Sequence, residues 1–349
     1  MTPRASTESL RVVQWATGGI GTRALRGIIE HPRLTLAGLY VHSPDKAGMD
    51  AGELCGLPAT GVTATSNIDE ILALDADCVL YAPRHPDPDE LSRILASGAN
   101  VVSTCGQFHH PPSMDPALRT AIDTACRTGQ TSVHSTGSSP GFITEALPLV
   151  LTSIQRRLTH LAIHEYADLS ARATPGIVFD VMGFGAAPEQ FATHRAEHLR
   201  AAFGPSLRLV ADALGTPLDE VSVGTEIAVT TRDVPIAAGV VPAGTVGAQR
   251  ITISGKRAGE TLIEFRAIWY CTDDLDPAWE TRATGWHMII DGDAPLDIDI
   301  KFPITLEQLG RNSGAYTANR AVNAIAPVCA AQPGIRTTLD LPMFGAVLG

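Results

Sequence analysis

The sequence predicts an α/β protein: an N-terminal, doubly wound parallel sheet, followed by a second α+β domain with an open mixed or antiparallel sheet. Three observations predict it. Between Leu10 and His134, short apolar runs alternate with amphipathic helical stretches, the rhythm of strand–helix–strand units. The first run enters a glycine turn, Ala16-Thr17-Gly18-Gly19-Ile20-Gly21, and a helix follows at once. From about His160 the rhythm changes to longer alternating runs, as in a sheet with one covered face.

The first strand runs from Leu10 into the turn, and Thr22 to Glu30 reads as a helix with Leu25, Ile28 and Ile29 on one face. Strand, glycine turn and helix form the context of a dinucleotide fingerprint. Glycine lets the backbone approach a pyrophosphate, and the helix N-terminus offers free N–H groups and a positive dipole end. The usual pattern is G-x-G-x-x-G. Here Ala16 holds the first position, and Gly18 and Gly21 hold the second and third. Alanine fits there provided that its φ stays negative. An ordinary strand-to-helix turn is the competing reading.

Leu34 to Val41 is the second strand. The residues after it select between NAD and NADP: an acid binds the ribose 2′-OH, whereas a cation or small polar group accommodates a 2′-phosphate. The sequence there is His42-Ser43-Pro44-Asp45-Lys46. Ser43 can donate to a phosphate and Lys46 can neutralise it, which favours NADP(H). Asp45 can bind a ribose, so NAD(H) stays open, and Ser-Pro-Asp-Lys is also ordinary turn composition. Asp69 to Leu74 reads as a helix, Cys78 to Tyr81 as a strand, Asp89 to Ser97 as a helix and Asn100 to Thr104 as a strand. Asp115 to Arg127 follows as a helix with Pro116 in its first turn, and Thr131 to His134 as a strand. Loops after parallel strands face the ligand crevice of such a sheet. Ala82 and Pro83, Thr104, and Ser139 and Pro140 in the hydroxyl-rich turn after His134 therefore join the turn residues 16–21, His42, Ser43 and Lys46 as expected cofactor contacts.

The remaining elements read as a helix over Ile143 to Leu158 kinked at Pro148, a strand over Leu161 to Tyr166, and a helix over Pro188 to Leu214 in two pieces near Gly204-Pro205. Strands follow at Val221–Thr231, Gly247–Gly255, Thr261–Tyr270, Gly285–Asp291 and Asp297–Phe302. Asn312 to Cys329 reads as a last helix and Thr337 to Leu341 as an apolar tail. Residues 1–142 are thus the expected dinucleotide domain, 143–311 a substrate and dimerisation domain, and 312–349 a helix and tail returning to the first domain.

Composition limits the partners. The chain has 349 residues, 44% hydrophobic and 18% charged, so it has material for two packed domains. Its net charge of −11 argues against nucleic acid or an anionic membrane surface. The six scattered cysteines support neither a disulfide framework nor a zinc site and read as buried thiols of a cytoplasmic protein. No apolar run is long enough to span a bilayer, and Met1 to Ser9 has no apolar core of a secretion signal.

Gln14-Trp15-Ala16-Thr17-Gly18, Ser43-Pro44-Asp45-Lys46 followed by Gly52-Glu53-Leu54-Cys55-Gly56, Gly137-Ser138-Ser139-Pro140-Gly141-Phe142 and Asn319-Arg320-Ala321-Val322-Asn323-Ala324-Ile325 together resemble the dihydrodipicolinate-reductase-like proteins. Within that group the likeness is to 2,4-diaminopentanoate dehydrogenases and native amine dehydrogenases, over nearly the whole chain. The resemblance implies a Rossmann domain, a second α/β domain with an open sheet, a homodimer, and reversible NAD(P)-dependent reductive amination of a small carbonyl, imine or amine substrate. It also implies a glutamate in the loop after the fifth strand, and that position holds Gln107, which can hydrogen-bond but cannot act as a general base. The true dihydrodipicolinate reductases carry paired histidines followed closely by a lysine. Here the region reads His164-Glu165-Tyr166-Ala167-Asp168, without that lysine, so their activity is not expected.

Hydride transfer needs the nicotinamide placed against a polarised C=O or C=N with one donor or acid nearby. The expected catalytic residues are Gln107, His109 and His110 in a crevice-side loop, and His164 and Tyr166, which share one face of a strand with Glu165 on the other. A Pro-bounded surface turn and a satisfied half-buried pair are the competing readings. His134 and Glu165 are further candidates, and Glu145 reads as a favourable charge in the first turn of a helix. The sequence therefore points to an NADP(H)-dependent oxidoreductase acting on a small C=N or C=O substrate. The alternative is a dinucleotide-binding regulatory or redox-sensing protein that has lost the amine chemistry. No metal site is expected.

Overall fold

The computed structural model describes residues 9–190 and 194–347. In chain order the first elements are β1 (Leu10–Trp15), α1 (Gly19–Glu30), β2 (Leu34–Tyr40), α2 (Ala51–Cys55), β3 (Ala64–Thr65), α3 (Ile68–Leu72), β4 (Cys78–Tyr81), α4 (Pro88–Ala96), β5 (Asn100–Ser103), α5 (Pro116–Gly129) and β6 (Ser132–Ser135). Then come α6 (Leu147–Thr152), β7 (Leu158–Asp168), α7 (His194–Ala213), β8 (Glu220–Thr230), β9 (Val234–Ile236), β10 (Gly239–Val241), β11 (Val246–Arg257) and β12 (Glu260–Tyr270). The last are β13 (Leu275–Asp276), β14 (Gly285–Gly292), β15 (Leu296–Lys301), α8 (Leu306–Cys329) and β16 (Gly334–Arg336). The chain divides into two compact units. One ends at Phe142 and resumes at Gly314; the other is Ile143–Ser313.

The first unit holds a seven-stranded sheet in the order β16-β6-β5-β4-β1-β2-β3, parallel throughout. Both faces are covered, which is why its strands read as unbroken apolar runs. Val13, Val79, Val101 and Val133 pack under α3, α4 and α5, whereas Val12, Cys78, Leu80 and Val102 pack under α1 and the Ala318–Val328 part of α8. Neighbouring residues such as Val12 and Val13 serve opposite layers, as the pleat requires. Aspartates start three of the helices, with Asp50 accepting from Gly52 N–H at α2. The Asp87 carboxylate accepts from the N–H groups of Asp89 and Glu90, and Asp115 accepts from Ala117 and Leu118, each with proline in the first turn.

The second unit holds another seven-stranded sheet, in the order β13-β8-β11-β12-β7-β14-β15. Its β7–β12 pair is parallel and the rest antiparallel, so the sheet is mixed. α7 covers one face, where Phe203 stacks on Phe265 with ring centroids 4.0 Å apart. Ile263, Phe265 and Ala267 of β12 are buried, while Glu264 and Arg266 alternate onto the other face. β9 and β10 form a separate hairpin.

Several sequence expectations need correction. The helix expected over 143–158 ends at Thr152, because the Asp293 carboxylate accepts from the N–H groups of Arg156 and Arg157 and turns the chain into β7. α7 runs unbroken through Pro205, the packing of Phe203 outweighing the local cost of proline. Pro188–Gln190 is a separate 3-10 turn, and residues 191–193 of the expected helix lie outside the described residues. The tail supplies a seventh strand, β16, three residues long and too short to leave a period in the sequence. All six cysteines are free, but Cys105 and Cys329 are only partly buried. Among the described residues no helix is long and apolar enough to cross a membrane.

Candidate active site

The glycine turn rises from the carboxyl end of β1. Trp15 is buried there and stacks on Tyr40, ring centroids 3.8 Å apart. The next residue departs from expectation: Ala16 has φ +72°, in the left-handed region. Its N–H donates to Tyr40 O (2.8 Å) and its carbonyl accepts from Gln14 Nε2 (2.9 Å), so both sides of the residue are fixed. This conformation costs an L-residue roughly 1–2 kcal/mol. A Cβ on Gly21 would stand 2.1 Å from Ala16 O, so the chain's own packing requires that glycine. Gly18 and Gly19 differ: a Cβ on either would meet nothing within 4 Å. α1 starts at Gly19, and its cap residue, Gly18, makes no side-chain cap and is followed by no acid in the first turn. Open space over an uncapped helix N-terminus suits a pyrophosphate, and Ile20 lies within that first turn.

Thr17 is held from two sides. Thr22 Oγ1 donates to Thr17 O (3.1 Å), and Lys46 Nζ donates to Thr17 O (3.2 Å) and Oγ1 (3.1 Å). Two of the three Lys46 ammonium protons are thus directed at the turn. His42 is exposed. Its ring meets the edge of Tyr40 at 5.1 Å and its Nε2 lies 3.9 Å from Glu90. Ser43 is exposed and starts the 3-10 turn Pro44–Lys46 without using its hydroxyl as a cap.

The other strand ends continue this edge. Ala82 N–H donates to Trp15 O, Thr104 N–H to Tyr81 O and Thr136 N–H to Ser103 O, while the Cys105 thiol reaches Pro83 O. Ser135 Oγ donates to Cys105 O (2.6 Å) and accepts from Phe108 N–H (3.3 Å), which shapes the 105–110 loop. Within it Gln107 is exposed, whereas Phe108, His109 and His110 are buried. After β6, Ser138 bonds Thr317 Oγ1, and Gly141 has φ +119°, a value that needs glycine. The buried hydroxyls of Thr136 and Ser139, the latter next to Pro140, have no hydrogen-bond partner among the described residues. Unfilled hydroxyls and open glycines on one sheet edge fit a dinucleotide. His134 is buried and its Nδ1 bonds Arg336 O, so it ties β16 to β6.

His164 and Tyr166 lie in the second unit, on the sheet face opposite α7, with ring centroids 6.4 Å apart. His164 Nε2 is 3.1 Å from Glu264 Oε1, and Arg266 is 3.0 Å from the same oxygen. The His164 hydrogen bond is the main reason the Glu264 carboxyl is held below its ordinary range; Arg266 adds to it against the cost of burial. Burial raises the Tyr166 phenol pKa, against the pull of Arg282, Arg266 and Arg250, so Tyr166 is a protonated donor at neutral pH. Glu165 points the other way and accepts from Trp269 Nε1 (3.3 Å) and Trp286 Nε1 (3.0 Å). Glu145, expected as a favourable first-turn charge, is buried and accepts from Ser206 Oγ (2.6 Å). The residues missed from sequence were Gln14 and Thr136. The signal for Gln14 was a lone amide inside an apolar strand. No cluster with metal-ligand composition occurs among the described residues.

The family model described as the 2,4-diaminopentanoate dehydrogenase C-terminal domain matches residues 142–349, more than half of the chain. The chain belongs to this family. An amine dehydrogenase of Streptomyces virginiae is 29% identical over 355 aligned positions, covering 97% of this chain and 98% of that protein. The 2,4-diaminopentanoate dehydrogenase of Acetoanaerobium sticklandii is 26% identical, covering 75% of this chain and 71% of that one. The solved amine dehydrogenase of Mycobacterium smegmatis has the same fold, with a TM-score of 0.77, 18% identity and 98% of each chain covered.

Two features of this family member are testable without any substrate. Ala16→Gly relieves the left-handed alanine, offset by the greater freedom of glycine in the unfolded chain. The expected gain is about 0.5–1 kcal/mol, read from denaturant unfolding. Glu264→Gln tests the ion cluster. A carboxylate with a lowered folded pKa stabilises fully above its unfolded value, about 4.3, and that stability is lost as pH falls through the folded pKa. The variant is therefore less stable at neutral pH, and its thermal midpoint declines less steeply than the wild type's below about pH 4.3.

Proposed function

We propose that this chain is an NADP(H)-dependent oxidoreductase that interconverts a small carbonyl compound and its amine, acting on a C=O or C=N carbon. The observation that carries this reading is the glycine turn, where Gly18 is left open over the N-terminus of α1. Its context supports the reading, since the relatives matched over most of the chain include an amine dehydrogenase and a 2,4-diaminopentanoate dehydrogenase. When bound, the nicotinamide supplies or accepts a hydride at the substrate carbon. The chain's part is to hold it: N–H groups at residues 18–21 for the pyrophosphate, Ser43 and the remaining Lys46 proton for a 2′-phosphate, and the Thr136 and Ser139 hydroxyls for polar atoms further along. His42 and Ser43 leave β2 without an acid at the ribose-selecting position, which favours NADP(H) over NAD(H). Ser43→Asp places a carboxylate there. The NADPH:NADH affinity ratio is expected to fall roughly 10- to 100-fold, as loss of a charge-assisted bond implies, in a fluorescence titration. An unchanged ratio removes Ser43 from the cofactor site.

Gln107, His109 and His110 share the carboxyl edge of the dinucleotide sheet, so we assign substrate handling to this loop. The Gln107 amide can donate a hydrogen bond to a carbonyl or imine but cannot take a proton. Proton transfer to or from the amine nitrogen then falls to His109 or His110, with His164 and Tyr166 as the rival pair. Gln107→Glu restores an acid–base group of nearly the same shape. A positioned base contributes about 10²–10⁴-fold, so the ammonia-dependent rate rises measurably in the variant where no other group carries the proton, and stays level or falls where His109 or His110 already carries it. A folded variant with no gain, beside a wild type that aminates readily, removes Gln107 from the mechanism. The same glutamine favours a second reading, a dinucleotide-binding regulatory protein without turnover. NADPH consumption with a panel of carbonyls, with and without ammonia, separates the two.

A further inference from the structure

We infer that Gln14 is a positioning residue for the dinucleotide turn: its buried side-chain amide takes the place of the missing first glycine by stapling Ala16 in the left-handed conformation. The inference rests on reading the turn as the cofactor site.

Three observations carry it. Gln14 is fully buried in a strand whose neighbours Val12, Val13 and Trp15 are apolar and equally buried. Burying an amide is unfavourable unless its bonds are made. Gln14 Nε2 makes them to the two carbonyls at the start of the turn, Trp15 O at 3.1 Å and Ala16 O at 2.9 Å. Its Oε1 has no partner among the described residues. The side chain therefore serves the turn, at a cost to the core. Second, Ala16 is one of four non-glycine residues with positive φ among the described residues, and it occupies the fingerprint position where glycine adopts such angles freely. Third, the carbonyl that Gln14 holds is the one that α1 closes upon. A Cβ at Gly21 would lie 2.1 Å from Ala16 O and 3.2 Å from Gln14 Nε2. Gln14, Ala16 and Gly21 thus interlock, and releasing the Ala16 carbonyl lets Thr17 and Gly18 move off the line of the α1 N-terminus.

Gln14 is fully buried, so its effect on binding is indirect. If the turn adopts the binding geometry for only part of the time, the apparent affinity falls by that fraction. The expected result for Gln14→Leu is an NADPH dissociation constant about tenfold higher, with the substrate KM at saturating cofactor unchanged.

The test is a double-mutant cycle of Gln14→Leu and Ala16→Gly, read in two ways: NADPH titration by fluorescence, and urea unfolding without cofactor. Glycine reaches positive φ unaided, so Gln14→Leu is expected to weaken NADPH by less than threefold, roughly, in the Ala16→Gly background. Unfolding is expected to show the same coupling. Equal losses in both backgrounds, or no loss in either, overturn the staple. If Gln14→Leu alone does not fold, the double variant must fold and bind NADPH, and its failure overturns the inference by making the amide a general requirement of the fold. A wild type that binds neither NADPH nor NADH overturns the cofactor reading and the positioning role together, whereas lost coupling with intact wild-type binding overturns only the latter.

Discussion

The carbonyl oxygen of Ala16 is the point on which the first unit turns. It sits between the Gln14 amide and the bare Cα of Gly21, and Ala16 N–H is tied to the end of β2. That contact decides where α1 begins, and so where its free N–H groups point. It also decides why the glycines differ. Gly21 is fixed by the protein's own sterics, whereas nothing in the chain crowds Gly18, which stands open at the N-terminus of α1.

The parallel sheet makes that turn possible. The inner strands β4, β5 and β6 are buried almost throughout, so their side chains are committed to packing and the backbone and the following loops are left for chemistry. The residues assigned to the cofactor accordingly follow strand ends: Ala82 after β4, Thr104 after β5, and Thr136 and Ser139 after β6. The second sheet is built differently. α7 takes one face, and the other carries polar side chains in contact with carboxylates, His164 and Arg266 on Glu264, His287 on Asp297 and Arg250 on Glu226.

Much of this was legible in the sequence because period and punctuation are local. β1, β2 and β4 to β6 announce themselves as apolar runs closed by glycine, proline or serine, and Asp87-Pro88 and Asp115-Pro116 mark helix starts by a mechanism that needs no tertiary partner. What was not legible depends on distant partners. Nothing near Thr152 says that Asp293 will turn the chain there, and nothing at Gly334 says that three residues will join β6. Pro205 reads as a break, yet Phe203 finds Phe265 and the helix continues. Ala16 is the instructive miss. The substitution looked mild under the assumption of negative φ, and the residue that makes the positive value tolerable stands two positions earlier as an unremarked glutamine.

The proton needed for amine chemistry places the sharpest demand on the proposed site. Gln107 has no titrating group. Tyr166 holds its own proton, since burial outweighs three nearby arginines. The Nε2 of His164 is already engaged with Glu264, and taking that nitrogen for catalysis would break the cluster with Arg266. His109 and His110 carry ionisable rings and lie on the same loop as Gln107, at the sheet edge that the glycine turn shares. Under the proposed function, the exposed Gln107 amide orients the substrate and an imidazole of the same loop moves the proton, which leaves hydride transfer untouched.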